Sequence, residues 1–398
     1  MLDHSLIHRR AQHVSGMISK RTIVFFFGYL VFLACLFEGA ARLAFLTPQI
    51  AKRLHANEDY TYIRNWVNEH KQFALDAYYR FDVYDSSRGW RTKPNITDLE
   101  VFDHKFLNTN SKGVRGKREF SYTKDKQKLR ILILGDSFTF GDEVSDNETY
   151  SYYLQEMLPQ TEVINMGVHG YGHDQMLILF KDEGVKYEPD IVILGFLGLD
   201  MSRNLLRFRD FAKPRFVLET GRLKLTGVPV PRPEEIIERD WARPRVLDIF
   251  SLASHAVTKF LGIQKREMQD ITTAILRDMI NVVESGHATP IFAYLPRGKE
   301  IAMEDTETED ESYMLSICRP NEKAKCFSVR PYFTERMAQG ERFKSGGHWD
   351  PAGHRVVAQA IKDYLVNEGY LSMSQSIATF SPAHVRGQLT KNRQLAEW

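Results

Sequence analysis

Apolar positions fall into three patterns along the chain. Residues Thr22 to Phe37 (TIVFFFGYLVFLACLF) carry no charge. Continued through EGAARLAFL to Leu46, this run predicts a helix of about 37 Å, enough to cross a bilayer. Its interruptions, Glu38 and Arg42, are four apart and predict an i,i+4 pair on one helix face, with Arg42 placed to snorkel toward the headgroups. Residues 48–80 have the spacing of an amphipathic helix and predict a stalk leaving the membrane. From Lys128 the text becomes short apolar runs alternating with helical segments. LRILILG (129–135), TEVINMG (161–167), DIVILGF (190–196) and TPIFAYLP (289–296) read as buried strands. Helices are expected after the first strand through about Leu158, over 173–186, and from Pro351 to about Glu368. Runs of this kind predict a parallel sheet covered on both faces.

The segments between are less regular. Residues 83–128 are rich in turn residues around short apolar stretches and predict irregular strands. A hairpin-like insertion is expected at 216–228 (FVLETGRLKLTGV), with helices over 233–262 and 267–285. Residues 297–330 read as an acidic, irregular insertion, and the tail from 371 has no strong period. The expected organisation is a cytoplasmic segment 1–21, a membrane span 22–46, a stalk 47–82, an extension 83–128, an α/β domain 129–370 with insertions at about 204–262 and 297–330, and a tail 371–398.

Charge orients the first of these. Arg9, Arg10, Lys20 and Arg21 precede the apolar run and only Asp3 opposes them, so the positive-inside rule puts the N-terminus in the cytoplasm and the bulk of the chain across the inner membrane. A cleaved leader is the competing reading, but the leader is long and no clean A-x-A site follows the run; a buried helix of a soluble domain would not need the basic flank. A lipoprotein site at Cys35 would need a better lipobox than Phe-Leu-Ala. Overall charge adds little: 53 basic against 51 acidic residues leave +2, with no basic stripe, which argues against nucleic acid as a partner. Three cysteines exclude a disulfide scaffold. Cys318 and Cys326 are either the ends of a short disulfide loop or two separate thiols.

Two motifs carry candidate chemistry. GDSFTFG (135–141) sits where the first buried strand gives way to a helix, outside the carboxyl end of a strand, where ligands of open α/β sheets bind. A serine there has its hydroxyl at the sheet edge and its N–H at a helix N-terminus, which suits a nucleophile and half of an oxyanion hole. The same residues, Asp136 and Ser137, also suit plain helix capping. HWDPAGH (348–354) holds a helix start, Asp350 at the cap and Pro351 at the first position, so His348 is a loop histidine and a candidate general base.

Taken in order, GDSFTFG, INMGVHGYG, GFLGLD and GHWDPAGH resemble the SGNH/GDSL hydrolase superfamily, in its membrane-anchored bacterial branch, over about residues 83–368. The resemblance implies a flavodoxin-like three-layer α/β/α fold, Ser137 as nucleophile, His348 as base, and backbone N–H groups of Ser137 and Gly167 at the oxyanion. His354 matches a structural position. Two departures stand out. Gly346 and Ser345 occupy the positions where the family usually carries the acid, leaving it unassigned, with a backbone carbonyl on Nδ1–H, Asp350 and the acidic run at 304–311 as the alternatives. Leu199, followed by Asp200, occupies the place of the oxyanion asparagine; Asn204, His169 and His173 are the nearby substitutes. The implied activity is acyl transfer from small esters, acetyl above all, of a cell-envelope or exported glycan. The alternatives are an O-acyltransferase working beside a membrane partner, and an inactive binding or assembly subunit. No metal or nucleotide cofactor is expected: His169 and His173 are separated by helix-breaking glycines, and no phosphate-binding glycine loop is present.

Overall fold

The computed structural model describes residues 20–47, 58–70, 80–301, 307–318, 323–344 and 346–371. The expected cytoplasmic segment lies almost wholly outside them, as do most of the stalk and all but the first residue of the tail. Helix α1 (Lys20–Leu46) takes up the first apolar run, with its side chains largely exposed. It is the one helix among the described residues that is, unbroken, long and apolar enough to cross a membrane. Of the stalk, α2 (Glu58–His70) is described. The extension forms two hairpins, β1 (Asp82–Asp85) with β2 (Gly89–Thr92) and β3 (Leu99–Val101) with β4 (Lys105–Leu107).

The central sheet is parallel and five-stranded. In chain order its strands are β5 (Leu129–Gly135), β6 (Thr161–Gly167), β7 (Ile191–Phe196), β10 (Thr289–Tyr294) and β11 (Lys325–Ser328). Their spatial order is β11-β10-β7-β5-β6, the flavodoxin-like order. The period-2 alternation divides the core: Leu132, Leu134, Val192 and Leu194 enter one apolar cluster, and Ile131, Ile133, Ile191 and Ile193 enter the other. Helices on the two faces complete a three-layer α/β/α sandwich, as the apolar runs predicted.

The helices run in chain order as follows. α3 (Ser137–Phe140) and α4 (Tyr150–Met157) follow β5, α5 (His173–Asp182) follows β6, and α6 (Gly198–Arg203) follows β7. The hairpin β8 (Arg215–Glu219) and β9 (Arg222–Thr226) comes next, then α7 (Pro233–Ala242), α8 (Arg245–Phe260) and α9 (Ile263–Ser285). α10 (Gly298–Ile301), α11 (Glu309–Ile317), α12 (Arg330–Ala338) and α13 (Pro351–Asn367) complete the set.

Three expectations are corrected. The single helix after β5 is broken: α3 ends at Gly141, whose φ of +93° caps it in the left-handed conformation, and the chain turns before α4 begins. Residues 297–330 are not irregular throughout. They contain α11, opened by a capping box of Thr308 and Glu311, and the edge strand β11, and Cys318 and Cys326 are joined by a disulfide. The helix expected over 233–262 is two, separated at Pro244, and Gly262 at φ +66° turns the chain from α8 into α9.

Candidate active site

β5 is flanked by β6 on one side and β7 on the other, so its carboxyl end is the point where the strand order reverses. Ser137 stands there as the first residue of α3. Asp136 caps this helix: its Oδ1 accepts from the Phe138 N–H at 3.0 Å, and its Oδ2 accepts from Arg203 Nη1 at 2.9 Å. Arg203 also reaches Asp200 Oδ1 at 2.6 Å. One buried guanidinium thus serves two buried carboxylates. Burial, then the neighbouring Asp136 charge, push the Asp200 carboxyl well up.

The histidine arrives from the other end of the chain. Trp349, 2% exposed, donates Nε1–H to the Pro296 carbonyl at 3.0 Å, and its ring packs on Phe138 at 4.8 Å between centroids. This fixes the loop before α13 against the end of β10. His348 Nε2 is then 2.8 Å from Ser137 Oγ, across 211 residues of sequence.

Behind the imidazole stands Glu143, with Oε1 3.1 Å from His348 Nδ1. Its other oxygen accepts from Lys344 Nζ. Partial burial pushes the Glu143 pKa up, but hydrogen bonds from Lys344 and His348 outweigh it and the pKa lies below the ordinary glutamate value. Glu143 was not a candidate on sequence. It lies in the break between α3 and α4, at a φ of +67°. Arg115 of the extension holds that break, donating to the carbonyls of Phe140, Gly141 and Val144 at 2.7–2.8 Å and to Asp146 Oδ1 at 3.0 Å.

The remaining candidates are dispersed. Asp350 is the cap of α13, accepting from the Gly353 N–H at 2.9 Å. His354 is fully buried and accepts the Tyr150 N–H at 3.2 Å; burial drives its pKa down to about 3. Asn204 has its amide committed within the fold. It is fully buried, donates Nδ2 to Thr272 at 2.9 Å and accepts from the Asp174 N–H at 3.1 Å. Leu199 packs against the apolar cluster that holds Ile131 and Ile133. The Gly167 N–H donates to Asn165 Oδ1 at 2.9 Å. His173 is buried against Phe196, with its pKa lowered by burial to about 3. His169 is linked to the pair through Asp142: its Nδ1 is 2.6 Å from Asp142 Oδ2, and that same oxygen is 3.8 Å from His348 Nε2. No group of three or more His, Cys, Asp or Glu side chains arranged to hold a metal ion occurs among the described residues.

No family model matches the chain, and no curated protein matches it. Among solved structures it is similar to a GDSL-like lipase from Bacteroides thetaiotaomicron, at 13% identity and a TM-score of 0.36, over 63% of this chain and 93% of that one. It is similar also to a catalytic mutant of an acetylxylan esterase from Geobacillus stearothermophilus, at 13% identity and a TM-score of 0.37, over 61% and 97%.

Proposed function

We propose that this chain is a membrane-anchored serine acylhydrolase of the SGNH/GDSL type, removing small acyl groups, acetyl above all, from a glycan outside the cytoplasm. The observation that carries the reading is the hydrogen-bonded line Ser137 Oγ, His348, Glu143, with heavy-atom separations of 2.8 and 3.1 Å. His348 Nε2 takes the proton of Ser137 as Oγ attacks the ester carbonyl. The ester C–O bond breaks, His348 returns the proton to the departing alcohol, and an acyl-serine remains. Water repeats the sequence and releases the carboxylic acid. Glu143 holds the Nδ1–H tautomer and balances the imidazolium. The Ser137 N–H, at the N-terminus of α3, supplies one oxyanion donor. The Gly167 N–H becomes the second by giving up Asn165 Oδ1.

The line also speaks against an inactive scaffold, since a binding subunit has no use for an imidazole held between a hydroxyl and a carboxylate. Small acyl groups and a glycan are supported by the motif order and by tethering through α1, which keeps the domain beside the envelope. Full-length protein in detergent is assayed with p-nitrophenyl acetate and with acetylated glycans. Release of acetate that vanishes in Ser137→Ala and His348→Ala supports the proposal. Rates equal to those of Ser137→Ala overturn it. Acetyl groups gained by an added glycan, rather than lost, would identify the acceptor as a sugar hydroxyl instead of water.

A further inference from the structure

Helix α8 is amphipathic in an unusual sense. Arg245, Asp248 and Leu252, spaced three and four apart, are its buried positions. Most of the rest of its surface is apolar and open: Phe250 is 69% exposed, Val257 57% and Phe260 90%, with Leu247 and Leu261 also exposed. From Val246 to Leu261 the only formal charges are Asp248 and Lys259. A soluble domain rarely leaves so continuous an apolar face uncovered.

The position of α8 is tied to the anchor. Its first two N–H groups, of Arg245 and Val246, donate to Glu38 Oε1 and Oε2 at 3.0 and 3.1 Å. Glu38 lies in α1, eight residues before its end at Leu46, or about 12 Å along the axis. The carboxylate that interrupts the apolar run therefore does more than pair with Arg42, which it meets at 2.7 Å. It caps a second helix, a favourable place for a negative charge. If α1 spans the bilayer, the start of α8 is held at the depth of Glu38. The buried side of α8 is ionic: Arg245 bonds Asp240 and Asp248, and Asp240 also bonds Arg64 of α2. Polar ties thus face the protein and apolar side chains face outward. At about 24 Å, α8 is too short to cross a bilayer, and the chain bends by 83° into α9, which returns to the core.

We infer that α8 is a second membrane contact, an interfacial helix packed beside the anchor, with Leu247, Phe250, Val257, Phe260 and Leu261 among phospholipid acyl chains. This rests on the reading of α1 as a membrane span. Two tethers, one spanning and one lying in the interface, fix how the catalytic domain faces the membrane, where one span alone would let it swivel.

The full-length protein is reconstituted into phosphatidylcholine/phosphatidylglycerol vesicles containing spin-labelled phosphatidylcholine. Phe250→Cys and Val257→Cys are made in a Cys35→Ser background and carry an environment-sensitive fluorophore. Cys35 of the native chain reports the span, and Glu335→Cys, on the opposite side of the sheet, reports water. Melting curves by circular dichroism check that each variant folds. The labels at 250 and 257 are expected to be quenched by the lipid probe severalfold more than the label at 335, and to be protected from aqueous iodide. A quenched Cys35 with labels at 250 and 257 as open to iodide as that at 335 overturns the inference and leaves the span intact. Labels shielded from both quenchers also overturn it, by showing a protein cover in place of lipid. An unquenched Cys35 removes the span and this inference together.

Discussion

Glu143 Oε1 lies 3.1 Å from His348 Nδ1, while the far nitrogen of the same ring holds Ser137 Oγ at 2.8 Å. In the proposed mechanism the orienting acid thus comes from the turn just after the helix that Ser137 begins, not from the segment before the histidine. Glu143→Gln and Glu143→Ala are expected to lower kcat for p-nitrophenyl acetate by about 10²–10³-fold with little change in KM, in the range of positioned acid–base catalysis. Glu143→Asp should recover part of the rate. Equal kcat values for Glu143→Ala and the native enzyme would remove glutamate from the mechanism.

Lys344 bears on the same carboxylate. Because its hydrogen bond and that of His348 hold the Glu143 pKa below the ordinary value, Glu143 stays ionised at neutral pH. A depressed carboxyl pKa contributes stability that is present above the unfolded value of about 4.3 and lost as pH falls through the folded value. Lys344→Met removes one of the two opposing bonds. The acid midpoint of unfolding, followed by circular dichroism, should move to higher pH in that variant, and an unmoved midpoint would count against the pairing.

A second pH effect has the opposite sign. His169 is held by Asp142 at 2.6 Å, with Asp210 at 3.7 Å from its other nitrogen. Burial pulls its pKa down, but Asp142, then Asp210 and Asp82, outweigh it and raise it to about 9. Burial likewise raises Asp82 to about 8; neither of its oxygens has a hydrogen-bond partner among the described residues. Both groups keep protons in the folded state that the unfolded chain gives up. The stability from His169 is therefore complete below about pH 6.5 and is lost as pH rises through about 9, and that from Asp82 declines from about pH 4 through 8. Tm should fall steadily between pH 6.5 and 9. His169→Gln should lower Tm at pH 6 and flatten that slope.

Much of this was legible from residues alone. β5, β6, β7 and β10 are buried on both faces, so their runs are mostly apolar, broken chiefly by Arg130 in β5 and by Glu162 and Asn165 in β6, and the motifs after β5 and before α13 mark Ser137 and His348. β11 escaped because it is a four-residue edge strand, KCFS, with its first residue exposed. α11 escaped although a signal was present, the capping box of Thr308 and Glu311. Glu143 left no local mark. Its place depends on a left-handed turn after Gly141 and on Arg115, 28 residues upstream, and neither periodicity nor spacing reports a tertiary tie of that kind. Asn204 illustrates the reverse: one turn beyond Leu199 it has the right chemistry, but its amide is used inside the fold.

Gly167 is predicted to be intolerant of any side chain. A Cβ there would stand 2.3 Å from the backbone nitrogen of Phe140, in the helix that begins with Ser137. Backbone cannot step aside as a flexible side chain does, so α3 would be pushed off β6. Gly167→Ala should cost at least about 1–3 kcal/mol of stability, as overpacking does. It should also lower kcat more than the Tm loss accounts for, because Ser137 moves relative to His348. A stable, fully active Gly167→Ala would show that the approach is looser than 2.3 Å.

Arg115 is the residue through which the extension reaches the chemistry. Its side chain is 1% exposed and satisfies three carbonyls of the turn that carries Glu143, besides pairing with Asp146 at 3.0 Å. Arg115→Met keeps the bulk and removes every donor. Breaking a buried pair on one side costs about 3–5 kcal/mol, so urea unfolding should register a large loss. Catalysis distinguishes positioning from mere stability. With the turn untied, Glu143 no longer meets His348 in one geometry, and kcat should fall about 10-fold or more at temperatures well below Tm while KM for p-nitrophenyl acetate changes little. Arg115→Lys, a point charge without the fork, should restore some stability through Asp146 but little of the rate. If the double variant Arg115→Met/Glu143→Ala is no slower than Glu143→Ala alone, the two residues act through one another; fully multiplicative losses would show that Arg115 acts on the rate independently of Glu143, and an unchanged kcat in Arg115→Met would assign it to stability only.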